Sequence, residues 1–423
     1  MTPAWARVGV LVAVALVMAG AAERPPRGHV ATGRIAITGW PYFPGSVIPL
    51  RVSGFAPPYH TVALGPGRLI SDDLYEAEHT QARTTTLVVA GNSTGLASAT
   101  LHLAPAPAAD RAMAVVASYD NGLVFHDAAN FSVLGLLAMS GAPAAVAVDP
   151  SGIIAAPDTD GPSLTRASLA PWNVATIGGV LTGDDVGIHT ATGAIFVTNR
   201  DANGPGALTR VEADGSVVRV VTGSTAEGLA IDQRRGIVYV ANTNDGSIAA
   251  VDAGSMRLKR RFHAVDRVFS LALNSDGSML YAVSNQSVGS FLGAPGSVVA
   301  FALRSPPRTI ARSAPLNFPL GIALDETAQR VFVTEEGLAE VDVLDSHSLR
   351  RMRTPLRTCT TPWKPVIDEQ TQRLYVPCAG ADAVDVFDTK TLRRIAGAPF
   401  RTGGYPLAVA IWHPSERTLP RKR

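Results

Sequence analysis

The sequence predicts an all-β protein, a seven-bladed β-propeller preceded by a small Ig-like β-sandwich. Three observations carry this expectation. Of 423 residues, 46% are hydrophobic and only 17% charged, with 39 Gly and 30 Pro, a balance that suits many short strands and turns and excludes a disordered chain. An alternating strand–turn–strand pattern recurs from about residue 140 to the end. Each copy alternates apolar and polar residues with period two, which rules out an α-solenoid.

The first residues have the order of an export signal. Arg7 precedes the uncharged run Val8 to Met18, and the small residues Ala19, Gly20, Ala21 and Ala22 follow, giving a charge, an apolar core and a cleavage site. Residues 1–22 are therefore expected to be removed. The apolar run falls short of the roughly 20 residues a membrane helix needs, and no later stretch could span a bilayer. The expected location is periplasm, cell surface or medium. With a formal net charge of +2, and much of the excess in the basic tail 419–423, the body is not a nucleic-acid binder by charge.

Residues 23–109 carry five strand-like pieces, GRIAITGW, SVIPLRVSGF, HTVALG, RTTTLVVAG and ASATLHLAP, separated by Pro and Gly turns. They predict the Ig-like sandwich, with the linker APAPAAD at Ala104 to Asp110.

The propeller is expected over residues 110–418. Its repeats align on the turn residues Asp149, His189, Asp232, Asn274, Asp325, Asp368 and His413, spaced by 40, 43, 42, 51, 43 and 45. In five copies an aromatic follows seven residues later: Phe196, Tyr239, Tyr281, Phe332 and Tyr375. Four strands in about 44 residues is the signature of a propeller blade. The last copy has only its first strand. Residues 111–141 supply the missing three, so the last blade should be closed by 405–412 with 111–141, which removes an open sheet edge.

The second strands carry a family resemblance. Phe196-Val197-Thr198-Asn199 and Tyr239-Val240-Ala241-Asn242 resemble the signature of the YVTN β-propeller repeat proteins, and Phe332 to Glu335 and Tyr375 to Cys378 are degraded copies. The resemblance implies the fold. The functions it implies are varied: surface-layer proteins, periplasmic binding or scaffold proteins, and related seven-bladed sugar lactonases.

Topology points to one face. The N-terminal domain and the tail are expected on the face of the one-to-two turns, leaving the crossover face free. That face would present Asp120, Asp158, Arg200, Asp201, Asn242, Asn244, Arg267, Asn285, Glu335, Trp363, Lys364, Asp382 and Tyr405, a polar funnel able to hold a small polar ligand or a cation. Propeller loops also use Asn and Asp simply to turn in water. Glu335 and Glu336 are adjacent on an extended strand and so point to opposite sides.

Cys359 and Cys378 are the only cysteines, and adjacent-strand geometry favours a disulfide between them. Without CxxC or a nearby His they do not complete a metal site. His189 and His413 occupy turns and are expected to hydrogen-bond there. No G-x-S-x-G, P-loop or H-E-x-x-H occurs, so no catalytic residue, metal or cofactor is expected. The expectation is an exported binding or scaffold module whose partner is a protein or a small polar ligand. The alternative is a lactonase-like hydrolase acting on a small sugar lactone or related ester.

Overall fold

The computed structural model describes residues 33–37, 39–55, 58–65, 67–78, 85–92, 95–200, 205–285 and 295–415. The expected signal, Asp201 and the basic tail lie outside the described residues. Among the described residues every regular element is a β-strand apart from the single 3-10 turns Glu336–Leu338 and Ala379–Ala381. No helix is long and apolar enough to cross a membrane.

The chain divides into two compact units, one holding the residues up to Pro107 with Leu134–Ser140, the other Ala108–Val133 and everything from Gly141. In the first, Arg34–Ala36 pairs with Arg51–Ser53, and His60–Leu64 and Gly95–His102 flank Thr85–Asn92. These strands fall in the five expected pieces. A hairpin, Gly67–Ser71 with Leu74–Ala77, was not expected; it adds a third sheet by pairing with Val47–Pro49. The apolar side chains Ile48, Tyr75, Val88 and Leu101 are buried. Leu136 joins this unit through its backbone: its C=O accepts from Phe43 N–H at 2.8 Å and its N–H donates to Pro41 C=O at 3.0 Å. A Cβ on Gly135 would meet the Phe43 ring at 2.4 Å, so glycine is what allows this approach.

The second unit is a β-propeller. Seven four-stranded antiparallel sheets occur among the described residues. Their first strands are Ala147–Val148, Gly183–His189, Ala226–Asp232, Val268–Leu273, Pro319–Asp325, Val366–Asp368 and Pro406–Trp412. Six of the sheets run through four consecutive strands. The seventh has the order Pro406–Trp412, Met113–Ser118, Gly122–Asp127, Val133–Ala138, with Val409 opposite Val116 and Trp412 opposite Met113. The first strands touch in cyclic order, and the last contacts the first.

Burial follows position within a sheet. Second strands such as Ala194–Asn199 are buried throughout, because both of their faces meet a neighbouring sheet. Fourth strands such as Leu258–His263 alternate with water. The repeated aromatics Phe196, Tyr239, Tyr281, Phe332 and Tyr375 are all at most 4% exposed. The repeated aspartates explain their own recurrence: Asp149, Asp232 and Asp325 accept turn N–H groups at 2.8–2.9 Å, the role for which a short carboxylate suits a tight turn. His413 accordingly contacts Asp368 at 2.8 Å, and His189 contacts Thr192 at 3.0 Å.

The signature threonine ties sheets together. Thr198 Oγ1 donates to Glu227 C=O at 2.7 Å and Thr334 Oγ1 donates to Trp363 C=O at 2.9 Å, each reaching the next sheet. Asn199 instead stays within its own sheet, donating to Leu181 C=O at 3.0 Å.

Phe332 packs among Val341, Val343, Leu374 and Val376 between two adjacent sheets. Phe332→Ala is expected to lower stability by about 3–5 kcal/mol, read from urea unfolding. Ile310→Ala, on a half-exposed outer-strand side chain, should change it by less than about 0.5 kcal/mol.

Candidate functional site at the crossover face

Antiparallel pairing sets the start of each first strand beside the end of the second: Ala226 lies opposite Asn242, Val268 opposite Ser284, and Pro319 opposite Glu335. These ends share one face, and there the chain places a set of charged groups.

Lys364 is the hub. Its Nζ donates to Asp184 C=O at 2.9 Å and lies 3.3 Å from Asp185 Oδ1, joining the sixth sheet to the second. Both side chains are mostly buried, at 14% and 19% exposure. Burial opposes the charged form of Lys364, but the Asp185 and Asp184 charges outweigh it and raise its pKa. Asp185 is fixed from both ends. Its N–H donates to Thr198 Oγ1 at 3.0 Å, and its Oδ2 accepts from Leu229 N–H at 3.1 Å.

Glu227 is the least satisfied group. It is 3% exposed, its Oε2 has no hydrogen-bond partner among the described residues, and its Oε1 lies 4.0 Å from Arg200 Nη1. Burial, reinforced by the Asp184 charge, pushes its carboxyl up to about 7; Arg200 and Thr243 offset part of this. Burial also raises Asp184, against the opposing charges of Lys364 and Arg200.

The opposite side of the mouth is apolar. Trp363 stands edge-on to Phe269 with centroids 6.5 Å apart, and Ala144, Ala379 and Leu407 pack with Tyr119 and Trp363.

The strap bearing Trp363 and Lys364 is pinned. Cys359 and Cys378 form a disulfide with Cα atoms 5.7 Å apart. Trp363 N–H donates to Pro377 C=O at 2.8 Å, and Ala379 N–H to Thr361 C=O at 2.9 Å.

The structure gathers Arg200, Trp363 and Lys364 at this mouth. Asp382, Tyr405 and Asp120 form a rim at the closing sheet: Tyr405 N–H donates to Asp382 Oδ1 at 2.9 Å, Asp120 N–H to Gly404 C=O at 3.3 Å, and the exposed Tyr405 ring meets Tyr119 edge-on. Asp158 and Asn242 are buried and hydrogen-bonded to groups outside their own turns as well as within them. Asp158 accepts from Ala142 N–H at 3.1 Å, and Asn242 accepts from Thr222 Oγ1 at 2.8 Å. They shape the backbone rather than face a ligand. Asn244 donates to Thr225 Oγ1 at 2.6 Å. Arg267 turns the chain at φ 54° and its C=O accepts from Asn285 N–H at 3.1 Å. Glu335 faces away from the mouth, toward Asn317 and Arg351.

Sequence reasoning passed over Asp184, Asp185 and Glu227 because it looked to loops for polar groups. A signal was present. Asp184, Glu227, Phe269 and Trp363 all stand five residues before the aligned turn residue, where other copies have Ala144, Leu320 and Ala408.

No protein-family model matches the chain, and no curated protein matches it. Solved structures resemble it in fold. A functionally unknown protein from Desulfotomaculum acetoxidans superposes with TM-score 0.60 at 15% identity, covering 72% of this chain and 99% of that one. A periplasmic gluconolactonase from Pseudomonas aeruginosa gives 0.59 at 16%, covering 72% and 99%. A proposed 6-phosphogluconolactonase from Bacteroides fragilis gives 0.58 at 13%, covering 71% and 98%. At these identities the likeness is one of fold alone.

Two predictions follow from the mouth and its strap. Between pH 4.5 and about 7 the folded chain keeps a proton on Glu227 that the unfolded chain has lost, so the Glu227 contribution to stability falls as pH rises through that interval and is level above it. Glu227→Gln should flatten the fall, seen as a smaller difference in urea midpoint between pH 5 and pH 7. Replacing both cysteines by serine should cost about 3 kcal/mol and speed hydrogen exchange at Thr361 to Lys364 before the rest of the fold.

Proposed function

We propose that this chain is an exported seven-bladed propeller whose crossover-face mouth binds and hydrolyses a small sugar lactone or related ester. The observation that carries the reading is Glu227: a buried carboxyl that changes charge near neutrality, with one free oxygen and Arg200 half-exposed beside it. A base poised near the working pH is what activation of water requires. In this reading Glu227 takes a proton from water as the new C–O bond forms, and Arg200 offsets the negative charge that develops on the carbonyl oxygen. The ring C–O bond then breaks and Glu227 returns the proton to the leaving oxygen. Lys364 is a positioning residue that holds Asp184 and Asp185, while Trp363 and Phe269 give the sugar an apolar wall. Lactonases among the fold neighbours support the substrate class.

The same reading takes the seven sheets as seven blades, the region 23–109 as an Ig-like unit and linker, 110–418 as the propeller, and the second strands as YVTN-type repeats. Export is supported by the disulfide, which persists in oxidising compartments.

A second reading is favoured by Lys364, which spans the mouth and is already paired. In it the propeller binds a partner on the rim of Tyr405, Asp382 and Asp120 without chemistry. Turnover separates the two. With gluconolactone and its 6-phosphate as substrates, acid release above the spontaneous rate is expected, with kcat/KM rising with pH to a plateau above about 7 and falling at least about 100-fold in Glu227→Gln. No turnover on either substrate sinks the lactonase reading.

A further inference from the structure

A second buried carboxyl lies in a cavity away from the mouth, and it belongs to no part of the proposed hydrolysis. Glu335 ends the strand Arg330–Glu335 and is 1% exposed. Its Oε2 accepts from Asn317 N–H, while its Oε1 has no hydrogen-bond partner among the described residues and lies 3.6 Å from Arg351 Nη2. That guanidinium is already engaged, since Nη2 donates to Asp342 Oδ2 at 2.8 Å and Nε pairs with Oδ1 of the same carboxylate. Asp342 is fully buried. Two buried carboxyls thus share one cation. Burial, and then Asp342 as neighbour, push Glu335 up to about 8, with Arg351 and the Asn317 N–H pulling the other way. At neutral pH a proton stands where a second cation would complete the charge balance.

Glu335, Asn317 and Arg351 line a cavity of about 320 Å³ whose other walls are Pro295, Pro315, Leu316, Phe318 and Leu338, within the size range of small-molecule sites. The remaining charged neighbours are Glu336, itself raised by burial, and Glu340, which acts on Arg351. An anion would meet the buried Glu335 carboxyl and a guanidinium already held by Asp342. A divalent ion would need several converging oxygen or nitrogen side chains, and no group of three forms among the described residues.

We propose that this cavity binds a small organic cation, a primary or secondary alkylammonium, with its nitrogen beside Glu335 and its hydrocarbon part against Phe318 and Leu338. Binding exchanges one proton for one ammonium. The apolar walls supply a further share of the affinity.

The experiment is isothermal titration of the whole mature protein with n-butylammonium, which stays protonated at pH 9, and with butyrate as the matched anion. At pH 7, paired buffers of different ionisation enthalpy should report release of close to one proton per ammonium bound. Affinity should rise roughly tenfold from pH 7 to pH 9. Glu335→Gln, nearly isosteric, should lose both binding and proton release. Leu338→Lys alters a half-exposed side chain and leaves the buried pair untouched; it should weaken the ammonium at least fivefold even if Glu335→Gln fails to fold. Absence of binding at pH 9, affinity independent of pH, butyrate bound in preference, or ammonium binding unchanged in Leu338→Lys would each overturn the proposal. None of these outcomes depends on lactone turnover.

Discussion

Every sheet in the propeller buries both faces of its middle strands, and that single requirement governs the rest. A strand such as Ala194–Asn199, buried at every residue, has no solvent side to retreat to, so it needs a neighbour on its left and another on its right. Only a closed ring gives every sheet two neighbours. The signature threonines act at this junction, because Thr198 and Thr334 each hydrogen-bond a carbonyl of the following sheet. Hydrophobic packing alone is non-directional; these bonds fix how far one sheet is rotated against the next.

Near the axis the same crowding acts on polar groups. The starts of the first strands crowd together there, so a carboxylate at such a position is desolvated by its neighbours whether or not it finds a partner. The Asp185 carboxylate finds Lys364 and Leu229 N–H; the Glu227 carboxyl finds Arg200 at 4.0 Å and Thr243. Burial, and after it the Asp184 charge, is what sets Glu227 near neutrality. Glu335 reaches a similar state through its own burial, with Asp342 as the neighbour that adds to it. Structural networks perturb titration as readily as catalytic ones, which is why turnover and ligand linkage are read separately for the two groups.

The architecture was legible because its causes are local. Asp149, Asp232 and Asp325 recur for the turn N–H groups they accept, and Phe196 and Phe332 recur for the gap between sheets they fill; both leave a fixed spacing in the chain. The disulfide was legible because strand adjacency places Cys359 beside Cys378. The hairpin Gly67–Ser71 with Leu74–Ala77 was not, since its only mark is the polar pair Asp72-Asp73 between two short runs. The axial charges were hidden by an assumption that polar function sits in loops, whereas Asp184, Asp185 and Glu227 lie inside strands. Glu335 was named as a candidate, but the side it faces was not legible. Period-two alternation separates the two faces of a strand but does not say which neighbouring sheet each face meets.

The closing sheet has a consequence for how the chain is made. Met113–Ser118 and Pro406–Trp412 are partners in space, yet nearly the whole ring separates them in synthesis. Until Pro406–Trp412 emerges, a strand buried at every residue in the finished fold waits with one edge unpaired. The nascent chain therefore carries its most adhesive segment early and covers it last, an exposure that invites pairing with other copies. For such a ring, survival during biogenesis is set less by the finished fold than by the interval in which its first strand has no companion.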